Sequence, residues 1–257
     1  MDMKTTKPYY PTQIKLCGLR REEDIRIVNE VMPEYAGFIL AEGRRRSITP
    51  ERMRELTSIL APGIRRVAVF LDQDPEWICH LAQQDLMDLI QLHGSESDEV
   101  IRMLQKKTGR KVIKVIRIDE KKGSGINPDS TEQNSTEQNE IEQNEIEQNG
   151  TKQNRTGEDP DNRRKIVQEI ARRAQECPAD LILLDHGAGG SGEAFDWTLA
   201  GAFSRDFILA GGLTPENVRE AIDRTHPMAV DVSSGVETDH AKDREKVQRF
   251  VQTVRRA

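Results

Sequence analysis

Long apolar runs are missing from this 257-residue chain. None approaches the roughly 20 residues that cross a bilayer, which excludes a membrane partner. Clustered basic charge is scarce as well. The 38 lysines and arginines are interspersed with 44 acidic residues, for a net charge of -6, and this excludes the basic face on which nucleic-acid binding rests. Only three cysteines are present, Cys17, Cys79 and Cys177. They make no Cys-x-x-Cys pair and no even framework, so they read as reduced thiols of a cytoplasmic protein. The five histidines include no pair at metal-ligand spacing, and no metal is expected. Residues 1–11 lack the apolar centre of a secretory signal and read as a flexible tail. At 35% hydrophobic residues and a mean hydropathy of -0.69, the chain is too polar to be packed uniformly along its length.

What is present is a recurrence of short apolar segments. Strands are expected over Gln13–Cys17, Tyr35–Leu40, Arg66–Leu71, Leu89–Leu92, Val112–Ile116, Leu181–Asp185, Phe207–Ala210 and Met228–Val232. Helical patterns lie between them. Three share one start signal, in which Thr49, Asp74 or Thr214 precedes Pro and Glu. A capping oxygen at N-cap, proline at N1 and an acid in the first turn all suit the free N–H groups and the dipole of a helix start. Eight strands alternating with helices, none plainly an edge, predict a single-domain (β/α)8 TIM barrel over residues 12–257, ahead of a doubly wound open sheet.

One segment interrupts the alternation. Residues 119–162 show no apolar periodicity, and Ser130 to Asn154 repeat a five-residue unit ending in Glu-Gln-Asn or Lys-Gln-Asn. Five matches neither 3.6 nor 2.0, and almost nothing apolar is there to offset ordering entropy. A disordered, low-complexity insertion between strand 5 and helix 5 is expected, with the helix resuming near Arg163. Its removal restores an ordinary barrel composition.

The chemistry-bearing residues fall at strand ends, where α/β barrels place their sites. The apolar run from Leu181 ends in Asp185 and is followed by Gly189, Gly190, Ser191 and Gly192. A carboxylate ending a buried strand is placed to deliver a proton. Gly211 and Gly212 follow strand 7, and Ser233, Ser234 and Gly235 follow strand 8. Glycine loops after the last two strands let backbone N–H groups approach an anion closely and predict a phosphate grip, to which Gly189 and Gly190 could add a third arm. His93 ends strand 4 and faces the same end. Arg44, Arg45 and Arg46 follow strand 2 and could hold an anionic substrate group. Cys17 ends strand 1; taken by itself it reads as a packing residue, because free cysteines are usually buried and inert.

Together these segments resemble the phosphoribosylanthranilate isomerases of tryptophan biosynthesis. The resemblance is carried by Lys15-Leu16-Cys17-Gly18-Leu19, Gly37-Phe38-Ile39-Leu40 with Arg46 after it, Val67 to Leu71, and Gln91-Leu92-His93-Gly94. It continues through Asp185 with Gly189 to Gly192 and Phe195-Asp196-Trp197, then Ala210 to Leu213 and Asp231 to Glu237. The resemblance implies an Amadori rearrangement of N-(5-phosphoribosyl)anthranilate. It makes Cys17 the general base and Asp185 the general acid, gives Arg46 the anthranilate carboxylate and the glycine loops the phosphate, and lets Asp231 position the substrate. The substrate's nitrogen serves as electron sink, so no cofactor is implied. The partner is a small phosphosugar, and the protein a monomer or homodimer. The family's loop after strand 2 usually carries a Ser-Pro-Arg type sequence, so Arg46 is chosen among the three arginines by spacing alone.

Two alternatives are separated by single residues. The related sugar isomerase of histidine biosynthesis generally uses two aspartates, and Cys17 argues against it. A non-catalytic phosphosugar-binding barrel would need neither Cys17 nor Asp185.

Overall fold

The eight apolar segments become the staves of one closed barrel. In the computed structural model of the protein, which describes residues 11–118, 160–186 and 203–257, they are β1 (Gln13–Cys17), β2 (Tyr35–Ile39), β3 (Arg65–Phe70), β4 (Leu89–Leu92), β5 (Lys111–Ile118), β6 (Leu181–His186), β7 (Phe207–Ala210) and β8 (Ala229–Val232). Each pairs in parallel with the next, and β8 pairs with β1 to close the ring. The residues expected to form the tail (all but Pro11), residues 119–159 of the insertion, and Gly189 to Gly192 lie outside the described residues.

The helices are α1 (Glu22–Val31), α2 (Pro50–Ser58), α3 (Pro75–Gln83), α4 (Asp98–Thr108), α5 (Pro160–Glu176), α6 (Val218–Thr225) and α7 (Arg244–Arg255). Two of the three start signals work as expected. The Thr49 hydroxyl accepts from Arg52 N and the Asp74 carboxylate from Glu76 N. The third is displaced. Thr214 caps only a turn, and α6 begins at Val218, because Asn217 reaches back to accept from Thr214 N and donate to Gly212 O. α5 starts at Pro160, ahead of the expected Arg163, where proline suits a first helical turn.

Alternation along the strands divides the core in two. Tyr35, Val67, Leu89, Ile113, Val115, Leu183, Ile208, Ala210 and Ala229 fill the inside of the barrel. Residues of the other parity, such as Leu16, Phe38, Phe70, Ile90, Leu184 and Val230, pack outward under the helices. The N-terminal end of the interior is plugged: Tyr35 Oη donates to Gln13 Oε1 at 2.8 Å, and the Arg65 guanidinium lies 4.0 Å over the Tyr35 ring. With that end filled, the opposite end, where the strands finish, is left to carry chemistry.

Candidate active site

Period two places Lys15 and Cys17 on the inward side of β1. A lysine inside a barrel needs a partner, since a buried unpaired charge is strongly disfavoured. Lys15 is fully buried, and its Nζ donates at 2.8 Å to Oδ2 of Asp231, its register partner on β8. The other oxygen, Asp231 Oδ1, is buried without a hydrogen-bond partner among the described residues. Room for the thiol comes from Gly37, paired with Cys17 across β1 and β2; a Cβ there would stand 2.8 Å from Cys17 Sγ. Burial pushes the Cys17 thiol up, opposed by the Lys15 ammonium and reinforced by Asp231.

Arg46 lies across Gly18, whose φ of +77° and lack of Cβ permit the approach; a Cβ would meet Arg46 Cδ at 2.6 Å. The guanidinium forms a fork on Glu237, with Nε to Oε1 at 2.8 Å and Nη2 to Oε2 at 2.7 Å. Glu237 begins β9 (Glu237–Thr238), which pairs with β10 (Ala241–Lys242) in a two-stranded hairpin above β8. From β10 the buried Lys242 donates to Glu237 Oε1 at 2.9 Å and to Ser233 O at 2.8 Å. Burial works against the Glu237 carboxylate, but Arg46 and Lys242 outweigh it and bring its pKa down to about 2. Burial lowers the Lys242 pKa, partly countered by Glu237.

Across the mouth, Asp185 follows the inward Leu183 on β6, and His93 follows the inward Leu89 and Gln91 on β4. His93 Nε2 stands 3.4 Å from Asp185 Oδ2, and the Gln91 amide nitrogen stands 3.5 Å from His93 Nδ1. With Nδ1 accepting, Nε2 carries the proton toward Asp185. Gln91 Oε1 is buried without a partner among the described residues. The loop that bears His93 is fixed from outside the barrel. Glu96 accepts from Gly94 N, Asp72 N and Lys114 Nζ, the last at 2.7 Å, and Lys114 also donates to Gly94 O. Lys114 and Glu96 are both 4% exposed. Gly94 lets the Asp72 carboxylate come close; a Cβ there would fall 2.3 Å from Asp72 Oδ1 and displace that side chain.

The two final loops touch. A Cβ on Gly235 would meet Leu213 O at 1.8 Å, so the β7 and β8 loops share one surface. Gly211 and Gly212 adopt φ of +95° and +63°, a region open to glycine. Ser233 Oγ donates to Cys17 O at 3.1 Å and joins this surface to β1.

A barrel with a thiol, a carboxyl and two glycine loops at one end has close relatives. A sequence model of N-(5'-phosphoribosyl)anthranilate (PRA) isomerase matches residues 14–135 and 136–253. This chain belongs to the PRA isomerase family. The isomerase of Acetivibrio thermocellus is 36% identical over 259 residues, 96% of this chain and 97% of its own. A PRA isomerase solved in complex with reduced 1-(o-carboxyphenylamino)-1-deoxyribulose 5-phosphate is 27% identical with a TM-score of 0.67, over 96% of this chain and 100% of that one. Monomers made from the dimeric isomerase of Thermotoga maritima give 27% identity and a TM-score of 0.66 over the same shares. The activity is thus isomerisation in tryptophan biosynthesis.

Within this PRA isomerase, Cys17 and Asp231 stand on one wall of the mouth and Asp185 and His93 on another. Of the three arginines, Arg46 alone makes the fork and is mostly enclosed. Arg45 meets Glu237 at 3.6 Å from the solvent side, and Arg44 is exposed. Ser234 and Gly235 open the 3-10 turn Ser234–Val236. Sequence reasoning passed over Lys15, Gln91, Glu237 and Lys242 as site residues. For Lys15 and Gln91 a signal existed: each is a polar residue at an inward position of a strand that is otherwise apolar. Lys242 carries no comparable pattern.

Proposed function

We propose that Cys17 and Asp185 carry out this family's isomerisation as general base and general acid. The observation that supports it most directly is that the thiol and the carboxyl both occupy inward positions at the C-terminal ends of their strands, in one mouth. Asp185 gives its proton to the furanose oxygen, the C1–O bond breaks, and the substrate nitrogen takes up the positive charge as a Schiff base. Cys17, as thiolate, removes the C2 proton, and the C–H electrons flow to the iminium to form an enolamine. Proton return to C1 and loss of the 2-hydroxyl proton give the 1-deoxyribulose. The substrate's nitrogen holds the electrons throughout, so the steps call on no cofactor. His93 holds one oxygen of Asp185 and leaves the other for the ring.

Binding follows from the remaining groups. Arg46 takes the anthranilate carboxylate, which must share the guanidinium with Glu237. Gly211, Gly212, Ser233, Ser234 and Gly235 hold the phosphate, joined by Gly189 and Gly190. Asp231 Oδ1 and Gln91 Oε1 are buried acceptors that suit sugar hydroxyls. A working thiol needs a reducing compartment, which supports a cytoplasmic site of action. No described helix is long and apolar enough to cross a membrane. The unit is a monomer or homodimer of a single barrel, residues 12–257, with a tail before it and residues 119–159, between β5 and α5, as an insertion.

The test is turnover followed by loss of substrate fluorescence. Cys17→Ala and Asp185→Asn should each lower kcat by about 10² to 10⁴-fold or more, while a product analogue still binds, because a proton-transfer group is lost and the phosphate contacts are kept. Near-normal turnover of a folded Cys17→Ala variant would sink the assignment.

A further inference from the structure

We infer that Lys15 is a positioning residue of this isomerase: its buried ammonium fixes the Asp231 carboxylate and sets how readily Cys17 gives up its proton. The inference rests on Cys17 as the base. Lys15 and Cys17 are two residues apart on one strand and share the inward face, and the Lys15 ammonium interacts with both the thiol and Asp231. Nothing about barrel packing asks for a lysine here. The neighbouring inward positions at this level include Val67 and Leu89, and a lysine among them is tolerated only with a charge partner.

The charges around Cys17 do not balance while it is a thiol. Facing it are Lys15 from β1, Arg46 from the loop after β2, Lys242 from β10 and Asp231 from β8, with Glu237 holding Arg46 and Lys242 from the other side. Among the described residues, three enclosed cations thus meet two carboxylates. Arg45 touches Glu237 from the exposed side, where water screens it. A Cys17 thiolate would leave the enclosed cluster neutral. Burial favours the thiol, so the unmatched cation offsets the desolvation of the thiolate, and Lys15 is the cation on the same strand face. The positive Schiff base formed on ring opening acts in the same direction.

Holding Asp231 is the second part of the role. With Oδ2 fixed on Lys15, Oδ1 is presented into the barrel mouth in one orientation. An arginine at residue 15 would keep the charge with a different reach. A methionine would keep the bulk, lose the charge and leave Asp231 as an unpaired anion beside the thiol, which favours the thiol further.

The experiment is site-resolved alkylation of the full chain by iodoacetamide, read by mass spectrometry at Cys17 between about pH 7 and 8, below the thiol's ordinary value. In Lys15→Met the Cys17 rate should fall about tenfold or more across this range, the effect of removing an opposite charge worth about one pH unit. Lys15→Arg should stay within about threefold of wild type, since the charge is kept. kcat should fall in parallel with alkylation in Lys15→Met, with KM changed far less. Should Lys15→Met fail to fold, Lys15→Gln can still donate a neutral hydrogen bond to Asp231, and its Cys17 should likewise react more slowly than wild type. A folded Lys15→Met, or a folded Lys15→Gln, alkylated at the wild-type rate overturns the inference. Slower alkylation with unchanged kcat upholds the coupling to Lys15 and overturns Cys17 as the base.

Discussion

Glu237 shows how much one carboxylate can organise. It receives the Arg46 fork and the Lys242 ammonium, and those cations hold its pKa near 2 against the penalty of burial. A folded-state pKa below the ordinary carboxylate value means the charged form stabilises the fold. That contribution is complete above the unfolded value of 4.5 and is lost as pH falls through about 2. Glu237→Gln should therefore melt lower than wild type at neutral pH, and the difference should shrink as pH drops from about 4.5 toward 2. A thermal-melt series across that range measures it; a difference independent of pH would mean that shape, and not charge, holds the hairpin. The same variant should bind substrate differently at neutral pH, because Arg46 would face the anthranilate carboxylate without a competing anion.

At the level of elements, the strands were the most legible part of the sequence. Apolar runs such as Val67 to Leu71 and Leu181 to Leu184 can only be buried, and in a parallel barrel a buried run must be a stave. His93 and Asp185 were legible for the same reason, as polar residues just where such runs stop, whereas Cys17 by itself read as packing and entered the site only through the family resemblance. The ion pairs were not legible. Lys15 and Asp231 are 216 positions apart, and Arg46 and Glu237 are 191, so no local pattern connects them. The start of α6 was misplaced because Asn217 turns back onto Gly212 and Thr214, a contact that overrides a good capping signal. The Lys114–Glu96 strut between β5 and the β4 loop is a further element invisible in sequence. Its loss should be expensive: Lys114→Met leaves Glu96 buried without its cation and should destabilise the barrel by about 3–5 kcal/mol, whereas Lys114→Met/Glu96→Leu should recover part of that. Urea denaturation of the single and double variants separates the two. A single variant as stable as wild type would mean that Glu96 is satisfied by backbone N–H groups alone.

For the whole molecule, the segment between β5 and α5 adds length without adding a recognisable apolar face. Replacing residues 121–157 by a short glycine linker should keep the barrel folded and turnover within a few-fold, because loop-closure entropy changes by only about 0.6 kcal/mol per doubling of length. Circular dichroism and the fluorescence assay check both halves of this statement. A folded but inactive deletion would show that the segment takes part in the reaction.

The pairing of β8 with β1 has a consequence for the time at which this protein can begin to work. Synthesis delivers the thiol at residue 17 almost first and its neighbours Asp231, Ser233, Glu237 and Lys242 almost last. A ribosome that has not yet reached residue 231 has made the base without the last-strand groups that frame it. Activity is therefore a property of the finished ring. Any truncation, nick or failed closure that opens the seam between the first and last strands disconnects Lys15 from its charge partner Asp231 and the thiol from the final glycine loop together.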